Sequence, residues 1–283
     1  NLVTPVGKEL LGTSVPTYED VFQSGLYEFT RMPKITSFAR DVVNRLQSLS
    51  DIETLNGMRI IAVGDGLGGD SAEFVRNGAS VYGIDYAETA REAQKEHSDL
   101  KPLYQPGAVA NKSVEGPFFD LDDTCIDMEA SLTNLAEKIE SGDMEPFDMV
   151  YAHSVFHLLD HPDGFRSILD LCNRVLKPGG YISFNMRQQG TSVNEENGIN
   201  LWDKREVNES FDVDELGMRD RAQSRISGLR LETRLRVFKN LDGMNRTFGN
   251  KDKYESLIQA HGFTAVYGFV SPLKNYGLSS TQQ

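Results

Sequence analysis

Cysteine is scarce in this chain. Cys125 and Cys172 are the only two among 283 residues, and their wide separation fits neither metal-ligand spacing nor a disulfide framework. No structural metal is expected, and the location predicted is a reducing compartment, the cytoplasm. Long apolar runs are lacking too. No stretch reaches the roughly 18 to 20 residues that would span a bilayer, and the N-terminus has no basic segment followed by an apolar core, so no membrane partner is expected. A processed or trimmed beginning stays open, because the chain starts at Asn1 rather than Met. Basic charge is outnumbered, 29 Lys and Arg against 42 Asp and Glu, for a formal net charge of -13. A field of that sign repels phosphate backbones and anionic surfaces and points to a small-molecule partner. Nucleic acid is kept as the lesser reading, carried by Arg219, Arg221, Arg225, Arg230, Arg234 and Arg236, whose plainer reading is a solvated face. There is no internal repeat and no low-complexity tract.

What is present is the composition of a globular protein with a sizeable core: 39% hydrophobic, 25% charged, mean hydropathy -0.41. Apolar residues at helical spacing after Pro16 and from Ile35 to Leu49 predict a helical lid over residues 1–55. Arg59 to Val63 is a short apolar run ending in glycines, as a buried parallel strand does. A helix from Ser71 to Asn77, a strand from Ser80 to Ile84 and a helix from Ala87 to His97 follow. One strand must lie between Lys101 and Asp127, at Pro102–Gln105 or around Phe118 and Phe119. Helix Met128–Glu140, strand Phe147–His153, helix Gly164–Leu176 and strand Tyr181–Asn185 complete the alternation. The expected fold is α/β: a Rossmann-like, doubly wound, mostly parallel sheet with an N-terminal helical lid and an inserted cap after strand five. The predicted boundaries are 1–55 for the lid, 56–186 for the core, 187–250 for the polar insertion, and 251–283 for a C-terminal helix and strand completing the core.

Between the first strand and its helix lies Gly64-Asp65-Gly66-Leu67-Gly68-Gly69, where glycines let the backbone approach a ligand closely. The pattern Gly64-x-Gly66-x-x-Gly69, with Asp85 about 20 residues downstream, satisfies the dinucleotide fingerprint, so an NAD(P)-dependent oxidoreductase stays open on these residues alone. Four segments taken in order say more. Val63 to Gly68, Gly78 to Asp85, Phe147 to His157 and Leu176 to Phe184 together resemble the motifs of class I S-adenosylmethionine-dependent methyltransferases.

The resemblance implies an enzyme that binds S-adenosyl-L-methionine and releases S-adenosyl-L-homocysteine. Its acceptor would be a small molecule methylated on oxygen, nitrogen or sulfur. The alternatives are a tRNA or other RNA acceptor, and a binding protein that kept the fold and lost the chemistry. Cofactor contacts are implied for Gly64, Asp65, Gly66 and Gly68 in the loop, and for Asp85 on the two ribose hydroxyls. Tyr86 is read either as packing on ribose or adenine or as core. The adenine amino group is assigned to one of Asp120, Asp122, Asp123 and Asp127, with Asp127 carried forward although it reads equally as a helix cap. His153 and Ser154, where strand four ends, are implied to line the reaction site. His153 and His157 are the candidate bases, because imidazole has a suitable pKa. His157 and His161 also stand at metal-pair spacing, which Pro162 and the lack of a third ligand argue against. Arg31, with Tyr18 and Tyr27, is the lid's candidate for the methionine carboxylate. The chain departs from the family at Ala62, where an acid usually helps to hold the methionine amino group. A homodimer and the identity of the acceptor are left open.

Overall fold

The computed structural model describes residues 19, 22, 36–50, 53–124, 127–156, 159, 163–185, 204–205, 246–247 and 251–264. The chain forms two compact units. One consists of Pro33–Phe156 with Asp160–Met186, and the other of Asn1–Met32, His157–Leu159 and Arg187–Gln283.

The first unit is built on five parallel strands: β1 (Arg59–Val63), β2 (Ser80–Ile84), β3 (Phe119–Leu121), β4 (Phe147–Ala152) and β5 (Leu176–Phe184), in the order β3-β2-β1-β4-β5. β2 is buried along its whole length and β1 at every position after Arg59, because helices cover both faces of the sheet. Around the strands run α1 (Ser37–Ser50), α2 (Gly69–Arg76), α3 (Glu88–Glu96), α4 (Met128–Glu140) and α5 (Asp163–Val175). Alternate strand residues divide between the faces. Ile60, Ala62, Val81, Phe119, Met149 and Tyr151 pack with Val43 and Leu46 of α1 and Phe74 of α2. On α5, Phe165 meets Phe156 at 5.9 Å and Phe184 at 5.6 Å between ring centroids. Burying one such phenylalanine stabilises the fold by roughly 1.5 to 3 kcal/mol. The strand order reverses between β1 and β4, and in such sheets the crevice at the carboxyl ends of the two diverging strands is where ligands bind.

One strand falls at the second of its two anticipated places, and another starts earlier than expected. The hidden one is Phe119–Leu121, while Lys101–Leu103 is a 3₁₀ turn and only Tyr104 makes an isolated parallel bridge, to Phe119. Pro102, in the first positions of that turn, has no N–H to give a ladder. β5 begins at Leu176, ahead of the Lys177-Pro178-Gly179-Gly180 segment that reads as a turn. Pairing resumes because the register with β4 slips between Phe147 and Met149. A Cβ on Gly180 would stand 3.0 Å from the Lys177 carbonyl and 3.1 Å from that of Asp148, a closeness that glycine permits.

In the second unit, β6 (Lys204–Arg205) pairs antiparallel with β7 (Arg246–Thr247). Helix α6 (Lys251–Ala260) ends at Gly262, whose φ of 84° suits a left-handed cap. The strand anticipated over 263–270 runs past residue 264 and lies outside the described residues, as do Tyr18, Tyr27, Arg31, His157, His161 and the arginines from Arg219 to Arg236.

Candidate active site

The carboxyl edge of the sheet gathers most of the described candidates. β1 ends at Val63, and α2 starts at Gly69 after a loop in which Gly64, Gly66 and Gly68 have φ of 62°, 58° and 80°. These left-handed conformations are costly for residues with a Cβ. Clearance is equally tight, since a Cβ on Gly64 would meet Val155 Cγ2 at 2.4 Å and one on Gly68 would meet Leu100 Cδ1 at 2.7 Å. The loop is tied to β2 and α3: the Gly64 N–H donates to the Ile84 carbonyl at 2.7 Å, the Gly66 N–H to Asp85 Oδ2 at 2.9 Å, and Gln94 Nε2 to the Gly66 carbonyl at 2.7 Å.

Asp85 follows the last residue of β2 and is buried, its other oxygen accepting the Ala87 N–H at 3.0 Å. Arg91 on α3 donates to the Asp85 carbonyl at 3.2 Å. Gln94 and Arg91 have no part in the motif reading; the available signal was a polar residue on the buried face of α3. Tyr86 is 44% exposed, which removes the core reading for it.

Geometry separates the four acids after β3. Asp120 is consumed by its loop, accepting N–H groups from Gly107, Val109 and Leu121 at 3.2, 3.0 and 2.9 Å. Asp122 continues the sheet edge through its N–H to the Gly83 carbonyl. Its carboxylate accepts from Thr124 and from the Ser131 hydroxyl. Asp123 pairs with Lys95 at 3.0 Å. Asp127 caps α4, accepting the Ala130 N–H at 2.9 Å, as the cap reading has it.

Beneath the loop lies a cluster that sequence reasoning missed. Asp70, in the first turn of α2, is buried, and its Oδ1 accepts the Thr36 N–H at 2.8 Å. Its Oδ2 accepts the Thr36 hydroxyl at 3.1 Å and the Tyr151 hydroxyl at 2.7 Å, and His153 Nδ1 stands 3.2 Å away. Burial pushes this carboxyl up, but the bonds from His153, Thr36 and Tyr151 outweigh it and hold Asp70 below the usual carboxylate range. Tyr151 is pushed above its ordinary range by burial and by the charge of Asp70, so it stays a donor. Phe38 of α1 packs on both rings, 5.5 Å from Tyr151 and 5.5 Å from His153. Ala62 is the β4-facing partner of Tyr151 in the sheet register.

Asp65 is in a different state. Its Oδ1 accepts the Ser71 N–H at 3.4 Å, while its Oδ2 is sealed from solvent with no hydrogen-bond partner. Burial, with Asp70 and Asp85 nearby, pushes its carboxyl well above the usual range. Ser154, just past β4, is a non-glycine residue at φ 61°, its N–H held by Asn185 Oδ1 at 2.5 Å. Strain of this kind, about 1 to 3 kcal/mol, persists where surroundings over-determine it and clusters at functional sites. Asp148, by contrast, works at the opposite edge of the sheet, accepting the Arg59 N–H at 2.8 Å and Lys177 Nζ at 2.8 Å.

Residues 61–184 match the family model described as a methyltransferase domain. The match covers less than half of the chain, and over that segment the chain is similar to the methyltransferase domain the model describes. No curated protein matches the chain. Among solved structures it is similar to a magnesium protoporphyrin IX methyltransferase from Synechocystis, with bound SAH, at 14% identity. That match covers 92% of this chain and 83% of the other, with a TM-score of 0.40. It is also similar to a SAM-dependent methyltransferase from Archaeoglobus fulgidus at 14% identity, covering 87% and 75%, with a TM-score of 0.45. A third, from a study of disulfide conversion to a thioacetal in echinomycin biosynthesis, is 18% identical at a TM-score of 0.40. This chain spans 63% of its length. Likenesses this distant do not distinguish one acceptor from another. Among the described residues no helix is long and apolar enough to cross a membrane, and no cluster of three or more His, Cys, Asp or Glu could hold a metal.

Proposed function

We propose that the chain transfers a methyl group from S-adenosylmethionine to a small-molecule acceptor, with the loop Gly64–Gly69 and Asp85 holding the cofactor. The observation that carries this reading is Asp85, a carboxylate delivered by a buried strand to the carboxyl edge of a sheet matched by the methyltransferase model, and already bonded to the loop through Gly66. A pair of ribose hydroxyls suits such a carboxylate. For the adenine end the candidates are Asp122 and Asp127 beyond β3, since Asp120 is consumed by its own loop.

Asp65 takes the part that the family gives to the acid missing at Ala62. Its Oδ2 is an uncompensated buried acceptor, and the ammonium of the ligand's amino-acid end would supply the missing donor. Asp70 is the poorer candidate because its oxygens already face four donors. S-adenosylmethionine supplies a methyl group bound to a positive sulfur. The protein contributes alignment of the acceptor and, where the acceptor carries an acidic proton, a base to receive it. His153, 23% exposed at the end of β4, is that base. Residues 1–55 as a lid, 187–250 as a cap and 251–283 as completing the core remain proposals that rest on composition and periodicity.

Calorimetry with S-adenosylmethionine, S-adenosylhomocysteine and NAD tests the reading. Binding of the first two and not the third supports it, and absence of binding by the first two overturns it.

A further inference from the structure

Resting on the reading of His153 as the acceptor's base, we propose that Asp70 is the positioning residue for His153, holding the tautomer that takes the proton a hydroxyl acceptor would lose as it is methylated. The argument starts from proton inventory. Asp70 Oδ2 already accepts two hydroxyl protons, from Thr36 and Tyr151, and an ionised carboxylate has none to give. The imidazole nitrogen 3.2 Å away must therefore carry its own proton. With Nδ1 protonated, Nε2 holds the lone pair. Asp70 thereby selects the tautomer that can act as a base and turns the ring, as a buried carboxylate does for histidine in hydrolytic triads.

The rest of the cluster holds the carboxylate still. Thr36 caps α1, its hydroxyl accepting the Ala39 N–H at 3.1 Å, and spans to Asp70 with two bonds. Tyr151 reaches the same oxygen from β4, 81 positions away in sequence. Phe38 packs on the imidazole. The titratable groups around His153 among the described residues are Asp70 from α2, Asp65 from the glycine loop, acting on Asp70, and Tyr151 from its own strand. No described cation opposes the charge of Asp70.

An alkylammonium must lose its proton before its lone pair can attack, so a base held in one tautomer serves either kind of acceptor. A hydroxyl attacks well only as its proton departs. In the step proposed, the acceptor oxygen forms the new bond to the methyl carbon and its proton moves to Nε2 of His153. The electron pair of the breaking carbon–sulfur bond stays on sulfur. The imidazolium then returns its proton to solvent.

The test uses the full chain and does not need the acceptor. Nitrogen-15 NMR of the imidazoles, with His153→Gln to assign the signal, should show His153 in the Nδ1–H form, and Asp70→Asn should weaken the preference for that form. The Nε2–H form in the wild type overturns the proposal without any variant. Because Asp70→Asn also breaks the ties to Thr36 and could unfold the chain, Tyr151→Phe serves as the second variant. It loosens the same cluster, and the Nδ1–H form should persist in it. Loss of that form in Tyr151→Phe would show that packing, and not the carboxylate, sets the ring, and would overturn the proposal. Failure of S-adenosylhomocysteine to bind sinks the underlying methyltransferase reading while leaving the tautomer result standing.

Discussion

An alanine at Gly64 brings two costs that can be separated. At φ 62° the substitution incurs the left-handed penalty, about 1 to 2 kcal/mol. The new Cβ would also stand 2.4 Å from Val155 Cγ2, and valine is stiff at its first torsion, so the contact adds the overpacking cost of about 1 to 3 kcal/mol. Gly142 supplies the control: its φ is 82°, and a Cβ there would meet nothing within 4 Å. Gly142→Ala should therefore cost about 1 to 2 kcal/mol and Gly64→Ala about 2 to 5, a fall in Tm of roughly 5 to 15 °C for a domain of this size. Urea titration of both variants, of Val155→Ala and of the Gly64→Ala/Val155→Ala pair measures the difference. Removing the valine methyls should recover the contact cost as a coupling of about 1 to 3 kcal/mol between the sites. If Gly64→Ala proves as mild as Gly142→Ala, or the pair is additive, the loop is not pressed against the residues after β4 and the tight cradle is wrong.

Asp85→Ala should weaken S-adenosylhomocysteine binding by about 1.5 to 3 kcal/mol, read by calorimetry, and unchanged affinity would remove Asp85 from the ribose. Asp65→Asn should act in opposite directions on stability and binding. A carboxyl whose folded pKa lies above its unfolded value loses stability as pH rises from the ordinary carboxyl range towards the folded pKa, so the amide should stabilise the ligand-free chain at neutral pH. That gain should shrink as pH falls towards about 4, while S-adenosylhomocysteine binding weakens at pH 7; a Tm that does not rise would contradict the buried, uncompensated state of Asp65. Tyr151→Phe should lower stability by about 1 kcal/mol through loss of one donor to buried Asp70, measured by denaturant midpoint.

Most of the elements and the glycine loop were legible in local sequence. Short apolar runs such as Arg59–Val63, and helical spacing such as that of Met128–Glu140, are local signals, because burial on two faces or one imposes a period that a few neighbouring residues display. Asp85 could be placed at the sheet's edge for the same reason: a buried strand must end where its side chains turn polar. Periodicity fails at β3, only three residues long, and at β5, which pairs again across a register slip around Pro178 and the glycines. Which acids are buried, and what each one bonds, is set by long-range packing. Asp70 reads as the first-turn acid of an amphipathic helix, and nothing local distinguishes it from a solvated one. It meets Tyr151 and His153 because β4 lies beside β1, a neighbour relation set by strand order rather than by any pattern within either segment. The same long-range packing leaves Asp65 Oδ2 without a donor, whereas the Asp127 cap is a bond three residues along the chain that the local pattern already offered.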